Sequence, residues 1–273
     1  MKIPFTKMSG SGNDFIFIDH RKPILSEDQM KEFARKVCRR RVSVGADGLV
    51  LVEKSGKADL KWRFFNADGS EAEMCGNAGR CLGRFAHMKG ISGPSLTFET
   101  LAGILAASVD GRRVTLQMTK PHDLRLDETL PVEGRQEVVS SLNTGVPHAV
   151  LLVEDLEKAE VARMGNAIRY HSHFAPKGTN VNFVELKSAS GIAVRTYERG
   201  VEGETLACGT GVVASALIAA FKGLVTSPVS VRTEGGEILT VHFEIEGQEV
   251  KRVLFEGEVH VIYEGEIWEE AYQ

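Results

Sequence analysis

Two short stretches carry the residues best suited to chemistry, and they look like copies of each other. The first runs Glu71-Ala72-Glu73-Met74-Cys75-Gly76-Asn77-Ala78-Gly79-Arg80, the second Glu204-Thr205-Leu206-Ala207-Cys208-Gly209-Thr210-Gly211. In each, a Glu stands four residues before a Cys-Gly pair, and the apolar run after it ends in Lys-Gly, at Lys89-Gly90 and Lys222-Gly223. The same interval separates Glu71 from Glu204 and Gly90 from Gly223, so the register holds throughout. Upstream, Arg63-Phe64-Phe65-Asn66 matches Arg195-Thr196-Tyr197-Glu198 with a slip of one residue. Each copy reads as a strand, a turn, a Cys and a helix.

A Cys where a helix begins has a physical meaning. The first backbone N–H groups of a helix lack intrahelical partners, and the macrodipole places partial positive charge there. A thiol at that point is drawn towards thiolate, the form that acts as base or nucleophile, and the same N–H groups can hold a carboxylate. Burial as an inert thiol is the common fate of a lone Cys; two in matched contexts argue for function. One activated sulfur from each half of the chain, facing a shared cleft, suits inversion of a carbon stereocentre. One sulfur removes a proton from one face and the other returns a proton to the opposite face. The α-proton of an amino acid is a very weak acid, so the charge that builds on the carboxylate needs donors. The backbone N–H groups of Gly76, Asn77, Gly209 and Thr210 are suited to that role, each worth ~3 kcal/mol by analogy with oxyanion holes. No Walker, dinucleotide or flavin signature is present, so no cofactor is expected. No metal is expected either: Cys75 and Cys81 lack C-x-x-C spacing, and no His pair completes a site.

The elements that must position these residues follow from the pattern. Strands are expected at 3–7 and 15–19, separated by the turn Ser9 to Asp14, whose two glycines serve either as a hairpin or as a close approach to a ligand beside Asn13. A helix from Ser26 to about Arg39 carries a capping box with Gln29 and an apolar stripe of Met30, Phe33, Ala34 and Val37. Cys38 at its C-terminal end reads as structural. Strands at 49–52 and 59–65 lead to the first Cys, and 96–118 reads as short strands with a hairpin at Asp110-Gly111. The polar, proline-bearing stretch 121–135 reads as an interdomain crossing. Strands at 138–142 and 149–153, a helix at 156–168 and a strand at 194–197 then lead to the second Cys. Gly178 to Asn182 before Phe183 echoes Gly12-Asn13 before Phe15. A helix at 209–221, apolar nearly all round, must be enclosed, and strands at 229–233, 238–245, 250–255 and 259–263 close the chain. The architecture expected is α+β, with two pseudo-symmetric domains whose strands curl around one central helix each. The N-terminal domain is 1–119, joined by the C-terminal segment 258–273, and the C-terminal domain is 120–257.

Composition excludes several classes. A 42% hydrophobic and 26% charged content is ordinary for a globular chain. A net charge of −4 and a pI near 6.1 give no electrostatic case for nucleic acid or an anionic membrane. No run approaches transmembrane length. Met1-Lys2-Ile3-Pro4 leads into a strand-like segment, and four Cys are not a disulfide framework, so a reducing cytoplasm is the expected compartment.

The motifs Gly10-Ser11-Gly12-Asn13-Asp14-Phe15, Asn66-Ala67-Asp68-Gly69-Ser70, Cys75 to Cys81, Tyr197-Glu198-Arg199-Gly200 and Ala207-Cys208-Gly209-Thr210-Gly211 closely resemble the diaminopimelate epimerase family, in order and across essentially the whole chain. The resemblance implies a pyridoxal-independent isomerase interconverting LL- and meso-diaminopimelate in lysine and peptidoglycan synthesis. It implies two barrel-like domains around central helices, a homodimer and a small-molecule substrate. Cys75 and Cys208 become the acid/base pair, and Asn13, Asn66, Asn180, Glu198 and Arg199 the substrate-recognition residues. Gly76-Asn77 and Gly209-Thr210 become the carboxylate cradle. Arg199 suits bidentate carboxylate binding and Glu198 an ammonium. His148 keeps the family position, either in the site or packed against backbone. The chain departs from the family pattern at Val146, where many members have Asn, at Gly48, where some have Gln, and in the order Ala78-Gly79. The alternatives are a related racemase acting on proline-like or other amino acids, which would not need Glu198, Arg199 and Asn180 for a second charged end, and a non-catalytic amino-acid-binding protein.

Overall fold

The structure, a computed structural model, describes residues 2–273. The elements run β1 (Lys2–Gly10), β2 (Asn13–Asp19), α1 (Glu27–Val37), β3 (Gly48–Glu53), β4 (Leu60–Asn66), α2 (Gly76–Met88), β5 (Ser95–Thr100), β6 (Gly103–Asp110) and β7 (Arg113–Gln117). There follow β8 (His122–Val132), β9 (Arg135–Asn143), β10 (Pro147–Leu152), α3 (Val161–Arg169), β11 (Asn180–Ser188), β12 (Gly191–Glu198), β13 (Gly203–Thr205) and α4 (Gly209–Phe221). The chain ends with β14 (Val229–Thr233), β15 (Ile238–Glu246), β16 (Glu249–Glu258) and β17 (His260–Trp268). Two compact units result: Met1–Leu116 with Gly257–Gln273, and Gln117–Glu256.

In the first unit the strand order is β17-β1-β2-β3-β4-β5-β6-β7, with β2/β3 and β4/β5 parallel and the other pairs antiparallel. In the second it is β8-β9-β10-β11-β12-β14-β15-β16, with β10/β11 and β12/β14 parallel and the others antiparallel; β13 adds to β12. The two topologies are the same. Each parallel step carries a helix, α1 and α3 at the first, α2 and α4 at the second, because parallel neighbours need a long crossover. The first-unit counterpart of β8 is β17, supplied by the far end of the chain.

The second crossover helix lies inside its unit. α4 is buried at Gly209 and from Gly211 to Ala219 and touches β9, β10, β11, β12, β14 and β15. Its Ala, Gly and Val side chains are short enough for strands to close on every face. α2 is buried from Gly76 to Gly83 and packs on β1, β2 and β6; a Cβ on Gly79 would come 3.0 Å from Leu116. Both helices end in the same Schellman geometry. Gly90 N–H bonds His87 O and Ile91 N–H bonds Ala86 O at 2.8 Å, while Gly223 bonds Ala220 and Leu224 bonds Ala219 at 2.9 Å. Gly90 (φ 63°) and Gly223 (φ 71°) take the left-handed conformation that this cap requires. α1 buries the expected Met30, Phe33, Ala34 and Val37, and Ser26 N–H bonds Gln29 Oε1 at 2.9 Å.

Three expectations are corrected. Residues 122–132 are not a crossing but strand β8, paired with β9 through a turn at Glu133-Gly134. Most of β8 is exposed, with Leu130 and Val132 buried at its end; Leu124, Leu126, Leu130 and Val132 do alternate with polar residues, but the charges and Pro131 among them mask the strand. The helix expected from 156 begins only at Val161, because Leu156 N–H is taken by Glu185 Oε2 and Ala159 turns back to Leu156 O. The likeness of 178–184 to 12–16 is not topological: β11 occupies the place of β3, and the counterpart of β2 is β10.

Candidate active site

Cys75 and Cys208 are the N-cap residues of α2 and α4, each extended (φ −145°, ψ 120°; φ −116°, ψ 107°) before the helix turns. Their carbonyls accept the first helical bonds, from Gly79 N–H and Val212 N–H, each at 2.9 Å. Cys75 is half-buried and Cys208 is buried. The other two thiols differ: Cys81 is enclosed within α2, and burial pushes the Cys38 thiol up to about 12.

The turn that delivers each Cys is fastened to its strand in the same way. Arg63 of β4 grips Glu71 with Nε and with Nη2 at 3.0 Å, and Arg195 of β12 grips Glu204 at 2.6 and 2.9 Å. Each is a bidentate fork on a carboxylate. The repeated Glu before each Cys is thus an anchor for the loop. These pairings were not read from the sequence, although Arg and Glu stand in both copies.

In the first unit a chain of amides leads away from the start of α2. Arg80, fully buried, donates from Nη2 to Asn77 Oδ1 at 2.8 Å and to Ser11 Oγ. Asn77 Nδ2 donates to Asn13 Oδ1 at 2.7 Å, and Asn13 Nδ2 to Asp47 Oδ2 at 3.1 Å. A guanidinium only donates and a carboxylate only accepts, so the ends fix the direction of both amides. Asp47 belongs to an ion cluster with Arg40, Asp14 and the buried Lys7. Burial works to raise the Asp14 carboxyl, but hydrogen bonds from Arg40 and Lys7 outweigh it and hold it below the ordinary value. Asn66, exposed at the end of β4, bonds through Nδ2 to Ser70 Oγ at 3.0 Å. Gly48 has no room for a side chain: a Cβ there would lie 2.5 Å from the Phe64 ring and 2.8 Å from Phe65 O.

In the second unit His148 is 1% exposed, and its Nε2 lies 2.9 Å from Thr210 Oγ1, in the first turn of α4. Burial, reinforced by the Arg199 charge, pushes its pKa down to about 3, so the imidazole is neutral. Thr210 Oγ1 in turn is 3.6 Å from Cys208 Sγ. Asn180 is buried; its Nδ2 donates to Pro147 O at 3.0 Å and its Oδ1 accepts from Arg199 N–H at 2.9 Å, so it joins two loops. Glu198 Oε2 accepts from Thr205 Oγ1 at 2.9 Å, and Arg199 Nη1 donates to Lys177 O at 3.3 Å. Sequence reading missed Arg80, Asp47 and Asn182. An arginine set among the small residues at the start of α2, and an amide within the apolar run Val181-Asn182-Phe183, were the signals to follow. Among the described residues no cluster of three or more His, Cys, Asp or Glu is set to hold a metal, and no helix is long and apolar enough to cross a membrane.

A family model described as diaminopimelate epimerase matches residues 5–123 and 140–261. The diaminopimelate epimerase of Aquifex aeolicus (strain VF5) is 49% identical, with 98% of this chain and 99% of that protein covered. That of Archaeoglobus fulgidus is 46% identical, with 86% and 88% covered. Among solved structures, a phenazine biosynthesis protein of the PhzF family from Bacillus anthracis matches with a TM-score of 0.78 at 18% identity, over 98% of this chain and 99% of that one. A hydroxyproline epimerase from Agrobacterium vitis, solved with trans-4-hydroxy-L-proline, matches with a TM-score of 0.70 at 17% identity, over 97% and 92%. At such identities the structural likeness establishes the fold alone.

Proposed function

The chain belongs to the diaminopimelate epimerase family, and from that premise we propose that it interconverts LL- and meso-2,6-diaminopimelate, with Cys75 and Cys208 as the acid/base pair. The observation that carries the roles is that both thiols are N-caps of matched helices, with Gly76-Asn77 and Gly209-Thr210 opening the helices behind them. One sulfur, as thiolate, takes the α-proton; the electron pair left on carbon delocalises into the carboxylate; the second sulfur, as thiol, returns a proton to the other face. The backbone N–H groups after each Cys stabilise the charge gathering on the carboxylate. Arg199 and Glu198 answer the carboxylate and the ammonium of the distal end, while Asn180 holds the backbone from which Arg199 projects. Asn13 and Asn66 complete the polar lining. The same reading takes the protein as a cytoplasmic homodimer serving lysine and peptidoglycan precursor synthesis.

The test uses each single Cys→Ala variant in deuterated water. Neither variant inverts the stereocentre, and each washes deuterium slowly into one isomer only, Cys75→Ala into one and Cys208→Ala into the other. Proton NMR of the α-position with chiral analysis separates these outcomes. Near wild-type epimerisation by either variant refutes the two-thiol roles, and turnover of L-proline in place of LL-diaminopimelate by the wild type refutes the substrate.

A further inference from the structure

Behind Cys208 runs a hydrogen-bond chain whose direction can be worked out from one fixed end. Asn182 lies on β11 with no exposed surface. Its Nδ2 is 3.0 Å from Ala149 O and 3.1 Å from His148 Nδ1, and its Oδ1 is 3.0 Å from Thr196 Oγ1. A backbone carbonyl only accepts, so the atom facing Ala149 O must be the NH2 group. The second N–H of that group then points at His148 Nδ1, and the oxygen accepts from the Thr196 hydroxyl. His148 Nδ1 must therefore offer a lone pair, and the single proton of the neutral ring sits on Nε2. Nε2–H donates to Thr210 Oγ1 at 2.9 Å. Thr210 has one hydroxyl proton of its own, and the sulfur of Cys208 lies 3.6 Å away to receive it.

We propose that Asn182 is a positioning residue: by fixing His148 as the Nε2–H tautomer it commits the Thr210 hydroxyl proton to the sulfur of Cys208. The inference rests on Cys208 acting in the reaction, and it adds the means by which that thiolate is favoured. A hydroxyl donating to sulfur stabilises the charged form and lowers the pH at which the thiol ionises. With the other tautomer, Nε2 would accept the Thr210 proton and the sulfur would lose it. The fold keeps room for this arrangement at one position. A Cβ on Gly211 would lie 2.2 Å from Asn182 Oδ1 and 3.3 Å from His148 Cε1, so only glycine lets the first turn of α4 press onto the relay. Thr144 Oγ1 donates to Thr210 O at 3.0 Å and holds the same turn from the other side.

The first measurement is the 15N spectrum of histidine-labelled wild-type protein, with His148 identified by its loss in His148→Gln. Between about pH 6 and 9, Nδ1 should resonate as an unprotonated nitrogen and Nε2 as a protonated one; the reverse overturns the proposal. The second is the pH dependence of Cys208 alkylation by iodoacetamide, followed by mass mapping. Thr210→Val keeps the backbone and the volume but deletes the proton, and should raise the midpoint by about one pH unit, roughly tenfold slower alkylation below it. Thr210→Ser should restore the wild-type midpoint, and Asn182→Leu should raise it and mix the His148 tautomers. An unmoved midpoint in Thr210→Val overturns the proposal, and if that variant fails to fold the wild-type spectrum still decides. Alkylation needs no substrate, so these results stand apart from whether diaminopimelate is turned over.

Discussion

Replacing Arg80 by Met removes the donor end of the first-unit relay while keeping a side chain of similar length. Two buried acceptors, Asn77 Oδ1 and Ser11 Oγ, lose a charge-assisted donor. The contact to Glu258 O, at 3.4 Å, is too long to add much. An unsatisfied buried acceptor costs about 1–3 kcal/mol, and the guanidinium's own desolvation penalty is recovered, so a net loss of about 2–4 kcal/mol is expected. With a urea slope of about 3 kcal/mol/M the midpoint falls by about 1 M. Asp47 still sets the direction of the Asn13–Asn77 bond, but Asn77, beside Cys75 at the start of α2, loses one of its two anchors, so kcat/KM should drop about tenfold or more on top of the stability loss. Arg80→Lys keeps the charge and at most one of the two bonds, and should fall between. Urea titration by circular dichroism, with the epimerase assay in native buffer, reads both quantities. A midpoint within about 0.2 M of wild type, with unchanged kcat/KM, would refute the directed relay.

Asp14→Asn leaves Lys7 buried without its carboxylate and should cost about 2 kcal/mol at neutral pH. Because the folded Asp14 pKa is lowered from 3.8, that stability is complete above 3.8 and is lost as the pH falls through the folded value, so wild-type and variant unfolding midpoints should converge in acid. His148, held neutral with its pKa pushed down to about 3, opposes folding progressively as the pH falls below 6.5, and its NMR shifts should stay flat between about pH 5 and 8. Gly211→Ala should destabilise by about 1–3 kcal/mol or more through its 2.2 Å clash with Asn182, whereas Gly203→Ala, with nothing within 4 Å, should change the unfolding midpoint little. Arg195→Met should loosen the turn before Cys208 and lower stability by about 1–3 kcal/mol, with Glu204→Gln costing less because it keeps one hydrogen-bonding oxygen.

The helices α1, α2 and α4 were legible because their signals are local. Periodicity, the capping pair Ser26 and Gln29, and Gly90 and Gly223 as terminators all act within one or two turns. Helix α4 was bounded at Gly209 and Phe221 by Cys208-Gly209 before it and Lys222-Gly223 after it, despite the glycines and β-branched residues within it. Strand β8 was masked by its charges and by Pro131, although Leu124, Leu126, Leu130 and Val132 alternate with polar residues along it. The polar relays were hidden for a different reason. Asn182 reaches His148, Thr196 and Ala149, and Arg80 reaches Ser11, all far away in the chain. Such partners are chosen by strand pairing, which residue type does not reveal.

The two units share a scaffold yet line their thiols differently. Both second helices begin Cys-Gly, because an N-cap sulfur and a small residue behind it are needed wherever N–H groups must face a ligand. The next residue diverges: Asn77 is set by a buried cation, Thr210 by a neutral imidazole. Arg80 brings a full charge into the core behind Cys75, while His148 brings only a dipole behind Cys208. A two-base inversion needs one sulfur charged and the other protonated at any moment, and identical surroundings would give the two thiols equal affinity for that single proton. On the proposed two-thiol mechanism, unlike surroundings give each sulfur its own affinity, so the resting proton has a preferred side. Substituting one lining should therefore shift the balance between the two directions of proton uptake. Comparing the primary deuterium isotope effect for each isomer in wild type and in Thr210→Val would show it: the effect should grow for the isomer whose proton leaves to Cys208, and an equal change in both directions would contradict the argument.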